Sequence, residues 1–213
     1  MDYIYLHQLG EYEKNAKLSP FPNYTNVKYF FVRSFDTLWG QYSSFNGRHF
    51  HRRNNKRRHP TELEYTYRLR PAKDFGAPFN ESFHIKNIPL VPVHPKYGCK
   101  PPDNLDDVEG NVAFIERGQC SFKTKSIIAE KAGARAVIIS DVDHSNEEYF
   151  IEMIDDNASE EVNIPAAYLM GKNGLMILRT LERLNRNYAI INLPVNLTFT
   201  PAHKLNQPPW LGW

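Results

Sequence analysis

The chain has 213 residues, 41% of them hydrophobic and 13% aromatic, with a formal net charge of +2. That length bounds it to one domain with room for an appendage, and the apolar fraction is enough to fill a real core. No run of about 18 apolar residues exists, which excludes a membrane-spanning helix. The small net charge conceals an asymmetry: residues 9–59 hold ten Lys/Arg against three acids, a surplus of seven, so the remainder is net −5. Charge disparity between parts of a chain points to separate origins or partners.

Residues 1–8 read as an aromatic, alternating strand (DYIYLHQ), without the basic start and long apolar stretch of a signal peptide. Residues 9–59 show neither a helical nor a strand period and end in the basic run RHFHRRNNKRRH. They are expected to form a low-order insertion. Strand periodicity returns at LEYTYRLR, where Leu63, Tyr65, Tyr67 and Leu69 share one face. PAKDFGAPFNES is a loop punctuated by Pro71, Gly76 and Pro78. HIKNIPLVPV reads as an interrupted strand whose prolines place it at a sheet edge.

Two strand–helix–strand units follow. The first is Val112–Glu116, helix Phe122–Ala132 and Ala136–Ser140, with Gly133 suited to the left-handed position after a helix. The apolar run AVII predicts a strand buried on both faces. The second is Pro165–Leu169, helix Asn173–Leu184 and Tyr188–Leu193, with Leu175, Leu178 and Leu181 on one helical face. The arrangement predicts an α/β domain over residues 61–200, followed by a Pro/Trp tail, 201–213, lying as irregular coil.

Each candidate constellation has a plain alternative. Cys99 and Cys120 are too far apart for a Cys-x-x-Cys motif. They are either a thiol nucleophile with a partner elsewhere or a bridge closing a loop of about 20 residues, worth roughly 3 kcal/mol. Asp141, Asp143, Ser145, Glu147 and Glu152 imitate a calcium loop. Asn146 stands where the sharp turn wants Gly, and a strand rather than a helix enters it, so a solvated loop is the better reading. The run Arg48–His59 offers charge to phosphate, heparin or RNA and offers His49, His51 and His59 to a metal. Nothing accompanies it that marks a nucleic-acid fold, and dispersed solvated charge is expected. Ser121 and Ser126 have no evident His/Asp partner, and the Gly-x-Ser-x-Gly, His-Glu-x-x-His and phosphate-loop motifs are absent. No catalytic residue, metal ligand or cofactor is assigned. Four Asn-x-Ser/Thr sequons (Asn23, Asn80, Asn157, Asn196) stand against about 1.6 expected by chance, a modest lean towards the secretory route.

Four passages, PAKDFG (71–76), ERGQCSF (116–122), AEKAGARAVIISD (129–141) and IPAAYLMGKNGLMI (164–177), closely resemble the protease-associated (PA) domain family. With DYIY, the NLT sequon and the terminal QPPWLGW, the match covers residues 2–8 and 61–213 and is nearest to small, secreted, stand-alone members. The resemblance implies a PA-domain fold, a mixed β-sheet or open barrel with two flanking helices. It implies a Cys99–Cys120 disulfide, whose Cα atoms must then lie within about 7 Å. It also implies glycan at Asn196 above all, then Asn80 and Asn157. It carries no catalytic residue, and so implies a secreted, non-catalytic module that binds an unidentified protein partner and neither nucleic acid nor a membrane. The alternatives are a luminal cargo-binding module of sorting-receptor type and, further off, a thiol or metal hydrolase. Two departures stand out. The family's cleaved signal is missing, as in an incomplete N-terminus. Residues 9–59 replace a short turn, either as a retained intron (Gly-Glu-Tyr suits a splice donor) or as a lineage-specific insertion. A partner is expected on the loops at the carboxyl ends of the parallel strands, 117–121, 141–146 and 169–173. Arg117, Asp141, Asp143 and His144 would be exposed there for recognition; the PAKDFG loop and the aromatic tail are the fallback sites.

Overall fold

A computed structural model describes residues 28–33, 62–79, 83–145, 149–156, 159–195 and 205–211. Its seven strands are β1 (Lys28–Arg33), β2 (Thr66–Pro71), β3 (Ile85–Pro92), β4 (Val112–Glu116), β5 (Ala136–Ser140), β6 (Ala166–Leu169) and β7 (Ala189–Leu193). The described helices are α1 (Leu105–Val108), α2 (Phe122–Lys131) and α3 (Gly171–Arg183). The strands close into a barrel in the order β1-β2-β6-β5-β4-β3-β7. Four neighbours, β3, β4, β5 and β6, run parallel; the contacts of β1 with β2 and β7, of β2 with β6 and of β3 with β7 are antiparallel. This is the mixed α/β barrel with two flanking helices that the resemblance implied.

β5 shows why the sequence folds this way. All five of its residues are buried. Successive strand side chains point to opposite faces, so an unbroken apolar run demands cover on both. Ala136 and Ile138 join one cluster with Tyr67, Leu90, Phe114 and Leu169, capped by Ile177 and Leu181 of α3. Val137 and Ile139 join the other with Ile115 and Tyr168, capped by Ile127 and Ala129 of α2. The helix boundaries have local causes. Ser121 caps α2 by accepting the Thr124 amide at 3.0 Å. Gly133 leaves α2 at φ +79°, where an added Cβ would also press on Glu109.

Two expectations change. β3 is not an edge: it lies between β4 and β7. Its prolines survive because of where each nitrogen points. Val93 donates to Phe114, so odd-numbered residues face β4; Pro89 faces that way before β4 begins opposite Leu90. Pro92 faces β7, beyond the last pair, Leu90 with Ala189. Neither missing donor interrupts a ladder. The second change concerns the block 9–59. Its residues 28–33 form β1, which joins β2 to β7 and completes the barrel. The rest of the block, and the strand read in residues 1–8, lie outside the described residues. The described part of the tail is coil, as expected, but it docks. Thr66 donates its amide to the Asn206 carbonyl at 2.7 Å, and the Trp210 ring meets Tyr65 edge-on at 5.3 Å.

Val32 tests the role of β1. It is fully buried and faces the first cluster. Val32→Asp places an unpaired carboxylate there and is expected to cost about 3 kcal/mol or more. Chemical denaturation reads the loss. An unchanged midpoint would show that the barrel closes without this segment.

Candidate functional site: the rim of the parallel strands

The register of the parallel strands sets the site. Glu116 pairs with Ser140, and Ser140 with Leu169, so β4, β5 and β6 end level. The ladder runs one residue further: Arg117 donates its amide to Ser140 at 2.8 Å and Asp141 donates to Leu169 at 3.0 Å. The loops that leave these ends therefore start side by side, on one rim.

Asp141 ties the loops together. It is only 2% exposed. Its Oδ1 accepts from the Arg117 guanidinium at 3.1 Å and from the Val142 amide at 2.8 Å, while Oδ2 accepts from the Tyr168 hydroxyl. A buried carboxylate is tolerable only when its lone pairs are filled, and here they are filled from the loop after β4, from β6 and from its own loop. α3 presses on the same place. A Cβ on Gly171 would fall 2.1 Å from the Asp143 carbonyl oxygen, and one on Gly174 would fall 1.8 Å from Ser140 Oγ. Glycine at both positions lets the start of the helix abut the rim. Asp143 and His144 are exposed beyond this point, with Asp143 Oδ1 accepting from the Ser145 amide at 3.0 Å.

On the β4 side the loop is held by sulfur and nitrogen. Cys99 and Cys120 are bridged, with Cα atoms 5.9 Å apart, inside the expected limit. Lys125, one turn into α2, is fully buried and reaches back under the loop. Its Nζ donates to the Gly118 carbonyl at 2.6 Å and to the Tyr97 carbonyl, and lies 3.6 Å from Cys99 Sγ. Burial pushes its ammonium down from the usual 10.5 to about 8, so it still carries its charge at neutral pH. Gly118 and Gln119 both have positive φ, +119° and +66°.

The structure thus gathers Arg117, Asp141, Asp143 and His144 on one rim. It corrects one of them: Asp141 is not an exposed recognition group but the buried tie between the loops. Tyr168 and Lys125 escaped the sequence reading. Tyr168 sits in a strand that reads as plain core, and Lys125 lies among alternating lysines on a helix, where a solvated face is the default. Asn23, Asn80, Asn157 and Asn196 lie outside the described residues, as do Asn146 and Glu147 of the acidic loop. Among the described residues, no group of three or more His, Cys, Asp or Glu could hold a metal ion, and no helix is long and apolar enough to cross a membrane.

The role of Asp141 predicts a contrast. Tyr168→Phe leaves the buried carboxylate short of one donor and is expected to cost about 1–3 kcal/mol. Asp143→Lys, at an exposed position, is expected to change stability by less than about 0.5 kcal/mol. Urea midpoints at constant slope measure both. Equal effects would show that Asp141 does not depend on Tyr168.

The PA domain profile matches residues 86–177, from β3 into α3. The Drosophila melanogaster "PRADC1-like protein" is 55% identical over 156 residues, 72% of this chain and 79% of the fly protein. The Xenopus laevis "ER degradation-enhancing alpha-mannosidase-like protein 3" is 33% identical over 92 residues, 41% of this chain but 10% of that protein. Among solved structures, a zinc aminopeptidase from Bacillus subtilis superposes over 62% of this chain and 28% of its own, at 23% identity and a TM-score of 0.43. The named activities of the frog and bacterial proteins belong to chains of which this one spans a small part. The fly protein is matched over most of both lengths, and on that ground the chain belongs to the PRADC1-like family of PA-domain proteins.

Proposed function

We propose that this chain is a non-catalytic, secreted recognition module whose partner is a protein docking on the rim of β4, β5 and β6. The observation that carries this reading is the buried Asp141, which fastens its own loop to Arg117 of the loop after β4 and to Tyr168 at the end of β6. Loops so fastened present a surface of set shape, and preorganisation lowers the cost of association. Arg117, half-exposed Phe122, exposed Val142, Asp143 and His144 supply that surface with mixed polar and apolar character. Both cysteines are committed to a bridge, so neither serves as a nucleophile while it is intact. The bridge also suits an oxidising compartment, in keeping with secretion and with glycan at Asn196, Asn80 and Asn157.

A luminal cargo-binding role is the second reading. It is favoured by the recurrence of the module within relatives of different named chemistry, a mannosidase-like protein and the rice "Signal peptide peptidase-like 4", where it matches 10% and 18% of the length. A segment shared while the named activities differ is suited to recognition rather than reaction.

The test is affinity capture from secreted material with the purified chain as bait, comparing wild type with Asp143→Lys/His144→Glu. Both changed side chains are exposed, so the fold is expected to hold. A loss of captured partner of about tenfold or more supports the rim, in line with the cost of misplacing charge at an interface. Undiminished capture by the folded double variant would move the surface to the PAKDFG loop or the tail.

A further inference from the structure

The contacts of Lys125 do more than fill a core. An ammonium has three donors. Two are taken by the carbonyls of Gly118 and Tyr97, one from each arm of the bridge, and Cys99 Sγ at 3.6 Å is the remaining neighbour. A disulfide sulfur is a weak acceptor, but a thiolate at the same place would take a full charge-assisted contact from a group already aimed at it. Cys120 has its own source of support. It directly precedes Ser121, the N-cap of α2, a ten-residue helix. Helix N-termini and neighbouring lysines both lower thiol pKa values. Both cysteines are half-buried residues, and neither belongs to the buried core. Lys96, near Tyr97 on the same side, is occupied by Glu116 at 2.8 Å.

We propose that Cys99–Cys120 is a reducible, regulatory disulfide, with Lys125 positioned to stabilise Cys99 as the departing thiolate. The reductant is a dithiol. Its first thiolate attacks Cys120 Sγ, the sulfur–sulfur bond breaks, and Cys99 leaves with the electron pair as a thiolate against the Lys125 ammonium. The second thiol of the reductant, deprotonated, attacks the mixed disulfide and releases Cys120, which takes up a proton. Two electrons have passed to the protein, and the dithiol is now a disulfide. Stabilising the reduced form makes a disulfide easier to reduce, the opposite of what a purely structural staple requires.

Opening the bridge has a local consequence. Gln119 holds φ +66°, a conformation unfavourable for a non-glycine residue, directly beside the bridged Cys120. Released, residues 117–121 relax, and Arg117 is the near end of that loop. If the rim binds the partner as proposed above, bridge reduction alters the surface the partner meets. The reducibility itself does not depend on that reading.

The test measures reduction on the protein alone, so its failure is separable from any failure of partner capture. Wild type, Lys125→Met and Lys125→Arg are equilibrated in glutathione buffers of graded ratio, quenched by alkylation and weighed by mass spectrometry. Lys125→Met is expected to be about tenfold harder to reduce, a shift of about 30 mV for a two-electron couple, with Lys125→Arg restoring much of the difference. A second arm guards against misfolding of Lys125→Met. In a Cys120→Ser background the alkylation rate of Cys99 at pH 7 is compared with and without Lys125→Met, and a fall of about tenfold is expected. A bridge that stays oxidised in strongly reducing glutathione, or equal values with and without the lysine in both arms, overturns the proposal.

Discussion

The double burial of β5 is the constraint from which the rest follows. A strand of Ala-Val-Ile-Ile-Ser offers no polar face to water, so helices must cover both sides. A helix on each side requires crossover connections, and crossover connections make neighbouring strands parallel. Parallel strands of matched register end at one level, and their loops emerge together. The rim is therefore not an addition to the fold. It is the geometric result of burying five residues on two faces.

Much of this was legible in the residues. The bounds of β4 and β5 follow from the turn chemistry around them, with Gly118 after one and Gly133 before the other. α2 and α3 fall within two residues of their periodic patterns, the ordinary uncertainty of helix ends. What escaped has physical reasons. β1 is six residues long with three consecutive aromatics, so it lacks the alternation that marks a half-buried strand; its pairing with β2 and β7 is set by the whole barrel, not by local pattern. Pro89 and Pro92 argued for an edge because a proline's missing donor is visible in the sequence, whereas the direction its nitrogen faces depends on register. Asp141 looked exposed because an acid after a strand usually begins a solvated loop. Its burial rests on a tyrosine 27 residues away that no sequence pattern ties to it.

The two buried charges of the site show the same logic from the energetic side. Neither Asp141 nor Lys125 is cheap to remove from water. Each is tolerated because donors and acceptors from separate elements converge on it: the loop after β4 and strand β6 on Asp141, the two arms of the bridge on Lys125. Removing the Tyr168 hydroxyl or the Arg117 guanidinium leaves Asp141 short of a donor, and removing the Lys125 ammonium leaves two carbonyls unfilled, so these contacts act as couplings between elements more than as net sources of stability. A hydrophobic pair would stabilise the same positions with less dependence on geometry. What the charges add is directional definition, since a carboxylate filled by donors from separate elements fixes where each donor sits.

The restraints converge on the loop 117–121 in a way that simple connection does not require. Its first side chain, Arg117, is held by Asp141; its second residue, Gly118, gives its carbonyl to Lys125; its fourth, Cys120, is bridged to Cys99; its fifth, Ser121, caps α2. Between them Gln119 is exposed and held at positive φ. A five-residue link between a strand and a helix folds readily with a glycine and a cap alone. Here a salt bridge, a buried ammonium and a disulfide are added, each from a different part of the chain. Restraint of that density fixes the shape of the turn where the parallel strands end. It also places the one bond that can be opened reversibly by chemistry, the disulfide, inside the set of contacts that define the surface.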